Sequence, residues 1–229
     1  MSSAPSTSGN APPRSGRHLP VLLREVLELL DPKAGETAVD CTAGLGGHAS
    51  AIAERLGPTG TLVLFDLDPS NLASANERVR AMANPPRTIP VHASFHEAGR
   101  RLLELGLRAD VLLADLGFSS NQVDSPERGL AFKREGPLDM RLDPTSPITA
   151  SELVNTLSTR ELARILKEFG EERFAGSIAE NIVRARENEP ITTTSRLAEI
   201  ARGVVASKQP YSHGSIDGAT RTFQALRIA

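Results

Sequence analysis

Tryptophan is absent from this chain, tyrosine and cysteine occur once each, and aromatic residues make up 3% of its 229 positions. That shortage excludes a protein that grips single-stranded nucleic acid along a row of stacking rings. The single cysteine, Cys41, excludes an intramolecular disulfide and a cysteine-rich zinc site. His18, His92, His96 and His213 show no ligand spacing with the acids, so no metal is expected. Excess charge of one sign is missing too, with 26 Lys and Arg against 28 Asp and Glu, a net of −2. Bulk attraction to a polyanion is thereby excluded, and any RNA or DNA binding needs a local patch. There is no run of about 18 apolar residues to span a membrane, and no apolar signal-peptide core at the N-terminus. What is present is ordinary globular composition, 39% hydrophobic and 24% charged, in a chain long enough to bury a sizeable core. A soluble cytoplasmic protein is the expectation, with room left for a homo-oligomer.

Residues 1–17 are dominated by Ser, Pro, Gly and other small residues and read as a disordered tail. An amphipathic pattern then predicts a helix over 20–30, with Pro20 in its first turn. Short apolar runs predict strands at 37–41, 61–66, 88–92 and 110–115, and the stretches between predict helices over 48–56, 69–83 and 95–105. Strands of five or six residues alternating with helices are the signature of βαβ units and a parallel sheet. Right-handed crossovers bring the strand C-termini to one rim, where ligands bind.

After position 116 the strand signal stops. Residues 117–147, rich in Gly, Pro, Ser and charge, read as a long loop. Helices follow: one opened by the capping box Ser158-Thr-Arg-Glu161 and closed at Gly170, then 172–187, 195–206 and a last stretch over 218–229. Open doubly wound sheets usually carry more than four strands, and a fourth strand left as an apolar edge invites aggregation. The chain is therefore expected to be a fragment whose sheet lacks its other half.

Chemistry concentrates at the strand ends. The glycine-rich segment Asp40-Cys-Thr-Ala-Gly-Leu-Gly-Gly-His48 leaves a strand and enters a helix, so its backbone can turn tightly and approach a ligand. Asp66 closes the next strand, where a carboxylate can accept both ribose hydroxyls of an adenosine. Nicotinamide and methyl-donor enzymes share that logic. Phe95 follows the third strand and can cover a purine or join the core. Asp115 ends the fourth strand as a rim acid without a counter-charge nearby in sequence. Gln122 can read an amide or amino edge, or cap a loop. His48 is a base or a helix-start hydrogen-bonding residue.

With these residues assembled, the sequence resembles the bacterial MraW/RsmH family, S-adenosylmethionine-dependent methyltransferases acting on N4 of a cytidine in 16S ribosomal RNA. The resemblance rests on His18-Leu-Pro-Val-Leu, the glycine-rich segment, Asp115-Leu-Gly-Phe-Ser-Ser, and Arg128-Gly129 with Gly136-Pro-Leu-Asp-Met-Arg141. Gly170-Glu-Glu-Arg-Phe174 and Ala219-Thr-Arg-Thr-Phe-Gln-Ala-Leu-Arg-Ile228 extend it. It implies a Rossmann-like class I methyltransferase sheet, partial with four strands, interrupted by an inserted all-helical domain. The implied division is a methyltransferase part over 18–120, a loop and helical insertion over 121–215, and the start of a returning methyltransferase segment over 216–229. It implies cofactor contacts at Gly46, Gly47, His48, Asp66, Phe95, Asp115 and Gln122, and the small ribosomal subunit as partner. Ala49 and Gly218 depart from the family's usual Ser or Thr and Pro. Family members continue past position 229 with a Ser-Phe-His-Ser-Leu-Glu-Asp-type motif.

The reaction so implied moves a methyl group in line from a sulfonium to an exocyclic amine. Asp115, or a backbone carbonyl beside it, is expected to accept the amine N–H. Arg128, Lys133, Arg134 and Arg141 are expected either to hold phosphates or to pair with Glu127, Glu135 and Asp139. Positions 121–229 hold 15 basic and 15 acidic residues, so a shaped local RNA site is expected rather than net attraction. Two rivals stand beside this reading. One is a truncated chain that binds cofactor or RNA only. The other is an NAD-dependent oxidoreductase, which predicts a third glycine at position 49 and leaves Asp115 unexplained.

Overall fold

The alternation of short apolar strands with helices produces a parallel sheet. In the computed structural model, which describes residues 20–208 and 216–229, four strands pair in the order β3-β2-β1-β4. They are β1 (Thr37–Asp40), β2 (Thr61–Asp66), β3 (Arg87–His92) and β4 (Val111–Leu113), and every pairing is parallel. The tail expected over 1–17, His18 and His213 lie outside the described residues.

Successive strand side chains face opposite ways, so β1 and β2 feed two cores. Ala38, Leu62 and Leu64 pack with Ile52 and Leu56 of α2 (Gly47–Leu56) and Leu72 and Val79 of α3 (Pro69–Arg80). Val39, Val63 and Phe65 pack on the other face with Ala98 and Leu102 of α4 (Ala98–Glu104). Both central strands are consequently almost wholly buried, whereas β3 and β4 are half exposed.

Among the boundaries that differ from the periodicity, three have a local reason. Helix α1 (Leu23–Leu30) starts later than position 20, because Leu22 turns left-handed at φ 52°. The residues before it fold back instead, and the Val21 carbonyl accepts a hydrogen bond from His48 Nε2 at 2.9 Å. Residues Phe95–Glu97 form a 3₁₀ turn ahead of α4 rather than its first turn. Strand β4 stops at Leu113, and the Asp115 amide donates to Thr42 Oγ1 (2.8 Å) instead of to a ladder partner.

The stretch expected as a long loop contains α5 (Ser120–Asp124) and a 3₁₀ turn, Pro126–Arg128. Helices α6 (Ala150–Thr156), α7 (Thr159–Gly170), α8 (Ala175–Asn188), α9 (Thr194–Lys208) and α10 (Thr220–Ile228) complete the described chain. The capping box forms as its sequence requires: Ser158 Oγ accepts from the Glu161 amide and the Glu161 carboxylate from the Ser158 amide. Gly170 ends α7, but the left-handed residue is Glu171, at φ 50°. The glycine itself serves a close crossing, since a Cβ there would lie 2.4 Å from the Arg221 carbonyl of α10. Residues 216–229 were expected to return toward the sheet; the side chains Phe223 and Leu226 pack with Leu162, Leu166, Ile178 and Ile182 in the helical core. Among the described residues no helix is long and apolar enough to cross a membrane.

Candidate active site at the rim of the sheet

The chain steps from β1 to β3 on one side of the sheet and then crosses to place β4 on the other side of β1. Such a reversal is where open α/β sheets bind ligands, beyond the carboxyl ends of β1 and β4. The segment leaving β1 is pinned at its start by the Ala43 amide on the Phe65 carbonyl, 2.9 Å. Gly46 sits at φ 78°, and a Cβ there would come within 2.8 Å of Ala75 Cα, so no other residue fits without displacing α3.

Three carboxylates converge on this turn. Asp66 accepts from the Gly44 amide (Oδ2, 2.8 Å) and from the Asp68 amide (Oδ1, 2.8 Å), which leaves each oxygen a further lone pair. Burial raises its pKa, and the two amides pull part of the way back. Asp40 is fully buried. Its Oδ1 accepts from the Thr42 amide at 3.0 Å, while Oδ2 meets no hydrogen-bond partner among the described residues. Burial pushes that carboxyl up to about 6 against the pull of Thr42 and His48. Asp115 is the exposed member, its side chain 55% accessible, with Oδ2 3.9 Å from His48 Nδ1.

The structure therefore brings Gly46, Gly47, His48, Asp66 and Asp115 into one neighbourhood, and Asp115 stands beside the glycine turn as expected. Phe95 stands on the turn after β3, 47% exposed. Gln122 is buried at 4% exposure with both ends of its amide in use: Oε1 accepts from the Ser119 amide and Nε2 donates to Asp68, each at 2.9 Å. Of the basic residues expected near phosphates, Arg128 pairs with Asp68 at 2.7 Å and Arg141 with Asp139 at 2.7 Å. Both are held internally.

Sequence reasoning left Thr42, Asp40, Asp68 and Asn71 without roles. The Asp68-Pro69 step is a helix-start signal that points to a cap. Nothing local announces that Asp68 also receives Arg128, 60 residues on. Cys41, the lone thiol, is buried, and burial raises its pKa.

This chemistry suits a cationic ligand. A dinucleotide pyrophosphate set against the accessible carboxylate of Asp115 would meet like charge, whereas a sulfonium or ammonium would be stabilised. In comparison with known proteins, residues 15–229 match the MraW methylase family. The chain belongs to that family. Similar proteins carry the name ribosomal RNA small subunit methyltransferase H. That of Trichlorobacter lovleyi is 46% identical over 213 residues, covering 93% of this chain and 67% of the relative. That of Halorhodospira halophila is 48% identical over 220 residues, covering 95% and 66%. That of Frankia alni is 47% identical over 215 residues, covering 92% and 65%. The chain thus spans about two thirds of the length of the relatives it matches.

Proposed function

We propose that this chain carries the donor-binding and catalytic residues of an S-adenosylmethionine-dependent methyltransferase that modifies N4 of a cytidine in 16S ribosomal RNA. We place its work in the cytoplasm, on the small subunit. The observation that carries this reading is the convergence of Asp40, Asp66 and Asp115 on one glycine turn at the switch point of the sheet. The names of the relatives support the substrate class.

When bound, S-adenosylmethionine supplies an electrophilic methyl group on a cationic sulfur. The protein's part is to hold, orient and neutralise. Asp66, preset by two amides, would take the ribose hydroxyls. Gly46 and Gly47 allow close backbone approach, and half-exposed Phe95 would cover the base. Asp115 would put negative charge where a cation would sit, with the buried Asp40 behind the turn. Asp115 is fixed through its own amide on Thr42 while its carboxylate stays accessible. It would accept an N–H from the exocyclic amine and so return the conjugated lone pair to nitrogen. The target base must leave any helical stack to reach this rim. Arg128 and Arg141 are already paired, so recognition by shape within the assembled subunit fits better than capture of bare RNA by charge.

The test is methylation of small subunits that lack the modification, with labelled donor, followed by nucleoside analysis for N4-methylcytidine. Asp115→Asn should lower turnover about a hundredfold and change S-adenosylhomocysteine affinity less. Unaltered turnover and affinity would remove both roles from Asp115.

A further inference from the structure

Strand β2 delivers two aspartates to the rim, two residues apart, and they are used differently. Asp66 keeps part of its surface open. Asp68 has none, at 0% exposure. Four donors converge on its carboxylate. Oδ1 takes the Ser70 amide (3.0 Å) and the Ser70 hydroxyl (2.5 Å), capping α3. Oδ2 takes Gln122 Nε2 (2.9 Å) and Arg128 Nη2 (2.7 Å), both from the segment that follows Asp115. Burial alone would raise the Asp68 pKa. The bonds from Ser70, Gln122 and Arg128 outweigh it and hold the group below the ordinary carboxylate range.

The same two segments are joined again beside this node. Asn71 Nδ2 donates to Ser119 Oγ at 3.1 Å, and Asn121 Nδ2 donates to Asn71 Oδ1 at 3.0 Å. Further along, His92 Nε2 donates to the Leu67 carbonyl at 2.9 Å and lies 3.7 Å from Asp143 Oδ1. The turn that carries Asp66 is thus held by polar contacts from 119–128 on one side and faces Asp143 on the other.

We propose that Asp68 is a positioning residue: bound to Arg128 and Gln122 through its side chain and to Asp66 through its amide, it locks the donor-side carboxylate to the segment that presents Asp115. This rests on the reading of Asp66 as the nucleoside carboxylate. The geometry gives it a mechanical sense. The Asp68 amide sets the orientation of Asp66 Oδ1 at 2.8 Å, and the Asp68 carboxylate stays charged in the interior through Ser70, Gln122 and Arg128, the last two supplied by 119–128. Moving 119–128 strands that charge and so disturbs the turn holding Asp66. Coupling of this kind is reciprocal, so a ligand on Asp66 also steadies the segment after Asp115. Arg128 is then a strut inside the protein rather than a hand for phosphate.

The experiment uses the whole chain with S-adenosylhomocysteine as probe, reading affinity by calorimetry and amide hydrogen exchange by mass spectrometry. Arg128→Met should weaken binding about tenfold and speed exchange at residues 66–71 as well as at 119–128. Arg128→Lys should recover most of both. Asp68→Asn retains an acceptor for Ser70 and loses the charge. It should behave like Arg128→Met, and it carries the same two readouts if the methionine variant does not fold. Affinity within twofold of wild type, with faster exchange confined to 119–128, would overturn the proposal by reducing Arg128 to a local brace. Failure of the wild type to bind the probe sinks the methyltransferase reading instead. The exchange arm then still decides the lock: acceleration at 66–71 upholds it and none there overturns it.

Discussion

Eight polar or charged residues are buried among the described residues, and five of them (Asp40, His48, Asp68, Asn71 and Gln122) stand at or just beyond the strand ends. The helical region from residue 130 onward buries only Glu172, Thr194 and Thr222, while it encloses the larger apolar cluster. Burying polar groups costs stability unless each is bonded, so the rim is an expensive way to build a core. The helices use interlocked aliphatic and aromatic side chains, which stabilise directly. The comparison separates two ways of building: the rim buries bonded polar groups, as the proposed ligand site requires, and the helices bury apolar ones.

If that division is right, the largest loss of stability comes from the helices. Phe223 is fully buried with its ring edge-to-face on Phe132, centroids 4.9 Å apart. Phe223→Ala should cost about 3–5 kcal/mol in denaturant unfolding, yet leave S-adenosylhomocysteine affinity near wild type at low temperature. A large fall in affinity would break the comparison.

The next effect belongs to the rim and depends on pH. Asp40 is raised from 3.8 to about 6 in the folded state. A raised carboxyl favours folding while protonated, and that contribution is lost as pH rises through the folded value. Asp40→Asn should therefore gain on the wild type between about pH 4 and pH 7, by up to about 3 kcal/mol, in unfolding curves taken across that range. A stability difference that does not change with pH would contradict the burial of a charge there. The smallest effect is a cap. Ser158→Ala removes the acceptor for the Glu161 amide at the start of α7 and should cost about 1 kcal/mol, with ligand binding unmoved.

How much of this was legible in the sequence depends on distance along the chain. The strands, the glycine turn and the capping box are written in local patterns, and each formed within those patterns, although β4 covers only Val111–Leu113 of the expected 110–115. Position relative to the rim followed from topology alone, which is why Asp115 lies beside the turn. The misses are long-range or short. Arg128 had acids close by in sequence, and its partner Asp68 became available only once β2 and the segment after β4 had been folded side by side. Gln122 offered two readings, and the loop cap is the one seen, with Oε1 on the Ser119 amide and one N–H on Asp68. Helix α5 has five residues, too few for a 3.6-residue period to register. The late start of α1 follows the left-handed turn at Leu22, and the Val21 carbonyl before it bonds His48, 27 residues further on. The pattern of α10 declares an apolar face but not which core receives it.

The central claim is that the rim takes an S-adenosyl nucleoside rather than a dinucleotide. The most direct measurement is a calorimetric titration of the chain with S-adenosylhomocysteine and, separately, with NAD. The account predicts saturable binding of the thioether nucleoside and no measurable heat from NAD at millimolar concentration. Binding of NAD with the thioether silent would contradict it.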